Sequence, residues 1–128
     1  MKKKILIVDD DKEFLEELAE LLKLNEYEVV AVSDAPLAVD AARKSKPDLV
    51  LLDLKMPQES GFQVACKIKF FSQLQGVPII AMTAYFQDNY ADLLRTYGIK
   101  DCLTKPFDTV ELVSRIEASL TKLPNAAP

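Results

Sequence analysis

The segment Leu49-Val-Leu-Leu-Asp53 contains the clearest fold signal in this chain of 128 residues. Its first four residues are all apolar, whereas a strand with one solvated face would alternate apolar and polar side chains. A short run of this kind is typical of a strand buried on both faces, as in a parallel sheet covered by helices. Asp53 follows the run directly, so the predicted strand carries a carboxylate at its carboxyl end.

Further runs of the same type occur along the chain. Three of them are rich in valine and isoleucine and predict buried strands at Ile5-Leu-Ile-Val8, Val29-Val-Ala-Val32 and Val77-Pro-Ile-Ile-Ala-Met82. A weaker run, Asp101-Cys-Leu-Thr104, predicts a short edge strand. Together with residues 49–52, these runs predict a sheet of five strands.

The segments between the predicted strands have apolar residues at helical spacing, which predicts five helices. Their apolar stripes are Phe14, Leu15, Leu18, Leu21 and Leu22; Ala38, Val39, Ala41 and Ala42; Val64, Ala65, Ile68 and Phe71; Ala91, Leu93, Leu94 and Tyr97; and Leu112, Val113, Ile116 and Leu120. The predicted N-caps are Asp11, Asp34, Ser60 and Asp108, and Gly98 is the predicted end of the fourth helix. Alternating strands and helices predict a doubly wound α/β fold with a parallel sheet and right-handed crossovers.

The composition is typical of one folded domain. Apolar residues make up 49% of the chain and charged residues 28%, which allows a sizeable core. The net charge of −4 argues against nucleic acid or an anionic membrane surface as the primary partner. No apolar run approaches the roughly 18 residues of a membrane span, and the short run after Lys4 does not fit a signal peptide. We therefore expect a cytoplasmic protein without membrane association or direct binding to nucleic acid.

The sequence contains no histidine, which limits the chemistry that it can perform. Nucleophilic sites that depend on histidine and metal sites with imidazole ligands are both excluded. The two cysteines, Cys66 and Cys102, lie far apart and match no metal or redox motif. Any chemistry must therefore depend on carboxylates, hydroxyls and lysine, with or without a hard cation.

Polar residues with complementary chemistry follow four of the five predicted strands. Asp9 and Asp10 follow the first strand, Asp53 ends the third, Thr83 follows the fourth and Lys105 follows the fifth. In such folds ligands bind beyond the carboxyl ends of the strands, so we expect these side chains to converge at one edge. Clustered carboxylates repel unless a cation balances them, and Mg²⁺ prefers oxygen ligands. A magnesium ion beside a lysine and a threonine suits phosphoryl oxygens.

Several ordered segments carry a family resemblance over roughly residues 3–121. They are Ile5-Leu-Ile-Val-Asp-Asp-Asp11, Pro47-Asp-Leu-Val-Leu-Leu-Asp-Leu-Lys-Met-Pro57, Gly61, Pro78-Ile-Ile-Ala-Met-Thr-Ala84 and Leu103-Thr-Lys-Pro-Phe107. This set resembles the receiver domain of two-component response regulators. The resemblance implies a flavodoxin-like (βα)5 fold with strand order 2-1-3-4-5. We expect the receiver domain to cover residues 1–121 and residues 122–128 to form a flexible tail or linker stub.

The resemblance also implies the role of each site residue. Asp53 would accept a phosphoryl group from a phosphohistidine, in a phosphoacceptor with at most slow autodephosphorylation rather than an enzyme. Mg²⁺ would be held by Asp9, Asp10, Asp53 and the backbone carbonyl of Lys55, while Thr83 and Lys105 would bind the phosphoryl oxygens. The Lys105–Pro106 bond resembles the cis peptide of the family.

The implied partners are a phosphate donor and a downstream protein target. The donor would be a histidine kinase or a histidine phosphotransfer protein that docks on the first helix and the neighbouring loops. The target would bind the surface of the fourth helix, fifth strand and fifth helix, bearing Tyr90, Tyr97 and Glu111. We expect a monomer or weak dimer, either a stand-alone receiver or one excised from a larger regulator.

The sequence departs from the family at the position where many receivers carry an aromatic switch residue, which is Cys102 here. We interpret Cys102 as a small core residue, and Ser60, which replaces a common acidic residue, as a change without consequence. Lys55 and Tyr85 lie two residues beyond Asp53 and Thr83, and we hypothesise that they shield the phosphoryl group from water.

Two other classes of function compete with a phosphoacceptor. A phosphorylation-independent protein-binding module would keep the fold without the switch, and Cys102 favours that reading modestly. An enzyme or cofactor carrier such as a flavodoxin would need a glycine- or hydroxyl-rich phosphate loop. The chain has only three glycines and no such loop, which argues against this class.

Overall fold

The computed structural model describes residues 2–121 and contains a parallel sheet of five strands with helices on both sides. The strands are β1 (Lys4–Val8), β2 (Glu28–Val32), β3 (Leu49–Asp53), β4 (Ile79–Thr83) and β5 (Asp101–Thr104). The helices are α1 (Lys12–Leu24), α2 (Ala38–Ser45), α3 (Gly61–Phe70), α4 (Tyr90–Thr96) and α5 (Thr109–Leu120), with 3₁₀ turns at Ala35–Leu37 and Ser72–Leu74. The order β2-β1-β3-β4-β5 confirms the predicted flavodoxin-like fold. The expected tail, residues 122–128, lies outside the described residues.

The sheet separates two apolar clusters, because successive residues of a strand point to opposite faces. In β1, Leu6 and Val8 pack on the side of α2, α3 and α4, whereas Ile5 and Ile7 pack on the side of α1 and α5. All of these side chains are fully buried. Burial on both faces therefore explains the continuously apolar runs. Within residues 2–121, no helix combines the length and apolar character needed to cross a bilayer.

Two details of the predicted strands are wrong. The residues of β2 are exposed or half-buried rather than buried, because β2 is an edge strand that pairs only with β1. β5 forms the other edge, as predicted. β4 begins at Ile79 rather than Val77, because the Val77 N–H donates to the Leu74 carbonyl of the preceding turn at 3.1 Å.

Local signals at the helix ends are confirmed with one exception. Each confirmed cap accepts a hydrogen bond from the backbone N–H three residues later, and these caps are Asp11, Ser60 and Asp108. Asp34 is not a side-chain cap, because Pro36 offers no N–H and the Leu37 N–H donates to the Asp34 carbonyl at 2.9 Å. Gly98 follows α4 with a φ of 70°, the left-handed conformation that a glycine adopts readily.

Candidate functional site

Three buried polar side chains lie at the carboxyl ends of adjacent strands. Asp9 follows β1, Asp53 is the last residue of β3 and Thr83 the last of β4, and their exposed fractions are 0%, 6% and 1%. The strand order brings them together, because β3 pairs with both β1 and β4. Polar groups buried at this depth are costly unless they bond to one another or to a ligand.

Lys105 connects the two buried carboxylates. Its Nζ donates a hydrogen bond to Asp9 Oδ2 at 2.7 Å and lies 3.8 Å from Asp53 Oδ1. Its backbone N–H donates to the Thr83 carbonyl at 2.7 Å, which holds the end of β5 beside β4. The Lys105–Pro106 bond is cis, as the resemblance implied. The ammonium is therefore held within reach of any anion bound at Asp53.

The carboxylates form a compact set of oxygen ligands. One carboxylate oxygen each from Asp9, Asp10 and Asp53 lies within 4.8 Å of the others. The Asp11 N–H donates to Asp9 Oδ1 at 3.0 Å, and the Lys55 N–H donates to Asp53 Oδ1 at 3.4 Å, so two of the three are oriented by the backbone. Oxygen ligands in this arrangement fit the preferences of Mg²⁺.

The electrostatics of Asp53 favour the same ion. Its pKa is raised from 3.8 to about 7, chiefly by burial and then by the charge of Asp9, against the opposing effect of Lys105. Lys105 pairs with two of these three carboxylates, and its one positive charge does not balance their combined negative charge. A divalent cation would favour the ionised form of Asp53 and relieve the repulsion.

Thr83 lies at the start of the loop between β4 and α4. Its Oγ1 accepts a hydrogen bond from the Tyr85 N–H and donates one to the Tyr85 carbonyl, both at 3.2 Å. Tyr85 is 71% exposed. The Thr83 hydroxyl therefore joins the end of a buried strand to an exposed loop, and a change in its bonding would reach that loop directly.

Sequence reasoning did not identify Phe14 as a residue of the site. It interpreted Phe14 as part of the apolar stripe of α1, but Lys105 Nζ lies 4.3 Å from the centroid of its ring. The Phe107 ring packs edge-on against Phe14 with centroids 6.1 Å apart. No local signal reveals this contact, because only the tertiary fold brings the end of β5 beside the first turn of α1.

The predicted output surface needs one correction. Tyr90 is only 6% exposed, because it begins α4 on the side that faces the core and packs against the rings of Phe62 and Phe86. The centroid distances are 5.4 Å and 5.5 Å. Of the other residues predicted for this surface, Tyr97 is half-buried and Glu111 is exposed. Tyr90 is therefore a core residue rather than a contact residue.

Cys102 occupies a half-buried position on β5 and packs against the core. Burial raises the pKa of its thiol to about 11, and the carboxylate of Asp101 acts in the same direction. A thiol with so high a pKa stays protonated and unreactive near neutral pH. This placement agrees with a packing role.

Comparison with known proteins identifies the relatives of this chain. The sequence profile of the response regulator receiver domain matches residues 5–117. The DNA-binding response regulator MtrA of Mycolicibacterium paratuberculosis is 36% identical over 122 residues, which is 95% of this chain and 53% of the relative. The chain thus spans about half the length of the first curated relatives that it matches.

Solved structures that superpose on this chain include a chemotaxis protein and a receiver domain. The chemotaxis protein CheY4 of Vibrio cholerae superposes with a TM-score of 0.90 at 26% identity, covering 94% of this chain and 100% of that one. The receiver domain of the sensor histidine kinase PA1611 of Pseudomonas aeruginosa has a TM-score of 0.87 at 28% identity, covering 95% of this chain and 100% of that one. In that structure a magnesium ion is coordinated in the active-site cleft.

Proposed function

This chain belongs to the response regulator receiver domain family, the signalling phosphoacceptors of two-component systems, and we propose that it takes a phosphoryl group onto Asp53 in a Mg²⁺-dependent reaction. The proposal rests on the ion pairs of Lys105, whose ammonium lies between the two buried carboxylates of Asp9 and Asp53. The family's role fits this arrangement, because phosphoryl transfer depends mainly on positioning and charge neutralisation.

In the proposed reaction, an oxygen of the Asp53 carboxylate attacks phosphorus in line with the leaving group. The new O–P bond forms as the P–N bond to a donor histidine breaks, and the imidazole leaves with its electron pair. We assign the binding of the phosphoryl oxygens to Lys105 Nζ and the Thr83 hydroxyl. Asp9, Asp10, Asp53 and the carbonyl of Lys55 would hold Mg²⁺, which when bound supplies positive charge to the transferring phosphoryl group.

Signalling would follow from a change in the bonding of Thr83. Its hydroxyl now bonds to the backbone of Tyr85 at 3.2 Å. Once it turned to a phosphoryl oxygen on Asp53, the loop before α4 would lose this anchor and adopt a different conformation. A downstream protein that binds the α4–β5–α5 surface would recognise the changed conformation of this loop.

The donor is proposed to be a histidine kinase or a histidine phosphotransfer protein, because the chain supplies no histidine of its own. A groove beside the site, between α1 and α5, is lined by Phe14, Leu18, Phe107 and Leu112 among others. Apolar side chains next to the acceptor suit the docking of a donor helix. We further propose that residues 1–121 act as a receiver unit inside the cell, as a monomer or weak dimer without direct binding to nucleic acid.

The proposal is tested by intact mass spectrometry after incubation with Mg²⁺ and phosphoramidate. Wild type is expected to gain about 80 Da, one phosphoryl group, and Asp53→Asn to gain nothing, because the amide is not a nucleophile for this reaction. EDTA should prevent the gain in wild type. If neither protein gains mass although Mg²⁺ binds, the alternative, a phosphorylation-independent binding module, takes the place of this proposal.

The lifetime of the phosphorylated form tests the role of Lys55. If the Lys55 side chain shields the phosphoryl group, as hypothesised from the sequence, then Lys55→Asn should lose phosphate about 3- to 10-fold faster because water reaches the phosphorus more easily. The decay of the mass signal after removal of the donor gives the rate. Lys44→Asn changes another exposed lysine, on α2, and serves as the control. Equal decay in all three proteins would disprove the shielding hypothesis.

A further inference from the structure

The Lys105 side chain is held from two directions. On one side its Nζ bonds to the buried Asp9 carboxylate at 2.7 Å, and on the other it lies 4.3 Å from the centroid of the Phe14 ring. The Phe14 ring is itself supported edge-on by Phe107. Only 18% of the Lys105 side chain is exposed, so neighbouring atoms cover most of it.

We propose that Phe14 is a positioning residue for phosphoryl transfer, acting through a cation–π contact that holds the Lys105 ammonium beside Asp53. This inference rests on the function proposed above. A lysine side chain has four rotatable bonds, and an ammonium strongly prefers water to an apolar surface. The face of an aromatic ring attracts the charge, so the ring replaces part of the lost hydration while it closes that side of the site.

The distances explain why a second contact is needed. Asp9 alone draws the ammonium to its own carboxylate, and Lys105 Nζ is still 3.8 Å from Asp53 Oδ1. A phosphoryl group on Asp53 requires the ammonium to lie between the two carboxylates rather than to turn outward to solvent. The Phe14 ring restricts this outward movement. An aliphatic residue would fill the same space in the apolar stripe of α1, but it would not attract the charge.

Phe14 also lines the groove between α1 and α5. A donor that docks in this groove would touch the ring, so the donor's contacts and the placement of Lys105 would depend on the same side chain. Small phosphodonors need no docking surface, and they therefore isolate the positioning role from the docking role.

The test compares Phe14→Leu and Phe14→Tyr with wild type, using acetyl phosphate and Mg²⁺. We expect Phe14→Leu to lower the maximal rate of phosphoryl incorporation about 3- to 10-fold and Phe14→Tyr to stay close to wild type, since tyrosine keeps the π face. The affinity for Mg²⁺, measured by calorimetry, should be the same in all three. In a Lys105→Met background, Phe14→Leu should cause no further loss, because the ring would have no charge to hold.

The chain offers a matched control at Phe71. There the Arg43 guanidinium lies 4.3 Å from the ring centroid, the same distance as in the Lys105–Phe14 pair, but on the other side of the sheet. Phe71→Leu removes a cation–π contact from the fold without touching the site. It should leave the rate of phosphoryl incorporation unchanged, which separates a local effect on Lys105 from a general loss of stability.

A second readout does not depend on phosphorylation. The rate at which an amine-reactive ester modifies Lys105, followed by peptide mass spectrometry, should rise several-fold in Phe14→Leu and remain low in Phe14→Tyr and Phe71→Leu. The inference would be overturned if Phe14→Leu changed neither the reactivity of Lys105 nor the rate of phosphoryl incorporation. It would also be overturned if Phe14→Leu and Phe14→Tyr lowered the rate of phosphoryl incorporation equally. If wild type gains no phosphoryl group, the proposed function fails and the positioning role in transfer fails with it, whereas the modification rates still report whether the ring holds the ammonium.

Discussion

Replacing Gly61 by alanine is expected to lower the free energy of unfolding by at least about 3 kcal/mol, the largest loss that we expect from a single methyl group in this fold. Gly61 begins α3 and lies against the end of β3. A Cβ at this position would lie 2.3 Å from the Asp53 carbonyl oxygen and 2.8 Å from Leu54 Cα. Both are backbone atoms, so no side-chain rotation relieves the clash and the β3–α3 segment must move.

The measurement is urea unfolding followed by circular dichroism, with Gly76→Ala as the control. Around a Cβ at Gly76 no atom of the described residues lies within 4 Å, and no positive φ is recorded there. Gly76→Ala should therefore change the unfolding free energy by less than about 1 kcal/mol. Equal stability of the two variants would contradict the close approach of α3 to β3. Since the shift displaces Asp53 itself, any folded Gly61→Ala protein should also accept phosphate more slowly.

Replacing Asp53 by asparagine is expected to stabilise the protein in buffer without Mg²⁺. The pKa of Asp53 is raised to about 7 by burial and by Asp9, so near pH 8 the folded state holds a carboxylate that burial and repulsion disfavour. An asparagine side chain has nearly the same shape as the Asp53 side chain but carries no charge. We expect a gain of up to about 4 kcal/mol in unfolding free energy at pH 8, because each unit of pKa difference between the folded and unfolded states corresponds to about 1.4 kcal/mol.

The pH dependence gives the sign of the effect. The folded state keeps the Asp53 proton up to about pH 7, whereas the unfolded chain releases it near 3.8. Between these values the folded state binds more protons, so the contribution of Asp53 to stability falls as the pH rises. The difference between Asp53→Asn and wild type should therefore be small near pH 4, grow up to pH 7 and level off above it.

Thermal or urea unfolding in EDTA at several pH values measures this difference. Adding Mg²⁺ should stabilise wild type more than Asp53→Asn, because the ion binds the folded site and the variant lacks one carboxylate ligand. A variant that is less stable than wild type at pH 8 in EDTA would contradict the description of Asp53 as a buried, repelled carboxylate.

The sequence predictions were correct where the tertiary fold requires the same residue types that a local sequence pattern shows. The residues of β3 must be apolar on both faces because helices cover both, so the run at residues 49–52 correctly predicted a strand that is buried on both faces. The polar residues Asp9, Asp53 and Thr83 stand out for a related reason, since each ends an apolar run at the same edge of the sheet.

Prediction failed where position in the sheet or contacts between distant segments decide the outcome. β2 has an apolar run similar to that of β3, but nothing in its sequence indicates that it lies at the edge with half-buried residues. Tyr90 was expected on the output surface that the family resemblance implied, whereas in the structure it is buried and packs against the rings of Phe62 and Phe86. Phe14 fits the apolar stripe of α1, and its contact with the Lys105 ammonium arises only because the fold brings the end of β5 next to the ring.

The most direct test of the central claim is to locate the phosphoryl group by reduction with borohydride. Borohydride converts an aspartyl phosphate to homoserine, so the reduced residue is read from peptide mass spectra after digestion. With Mg²⁺ and phosphoramidate we expect homoserine at position 53 in wild type, less of it in Lys105→Met, and none when EDTA replaces Mg²⁺. Homoserine at Asp9 or Asp10 instead, or at no position while the protein remains folded and binds Mg²⁺, would contradict the assignment of Asp53 as the phosphoacceptor.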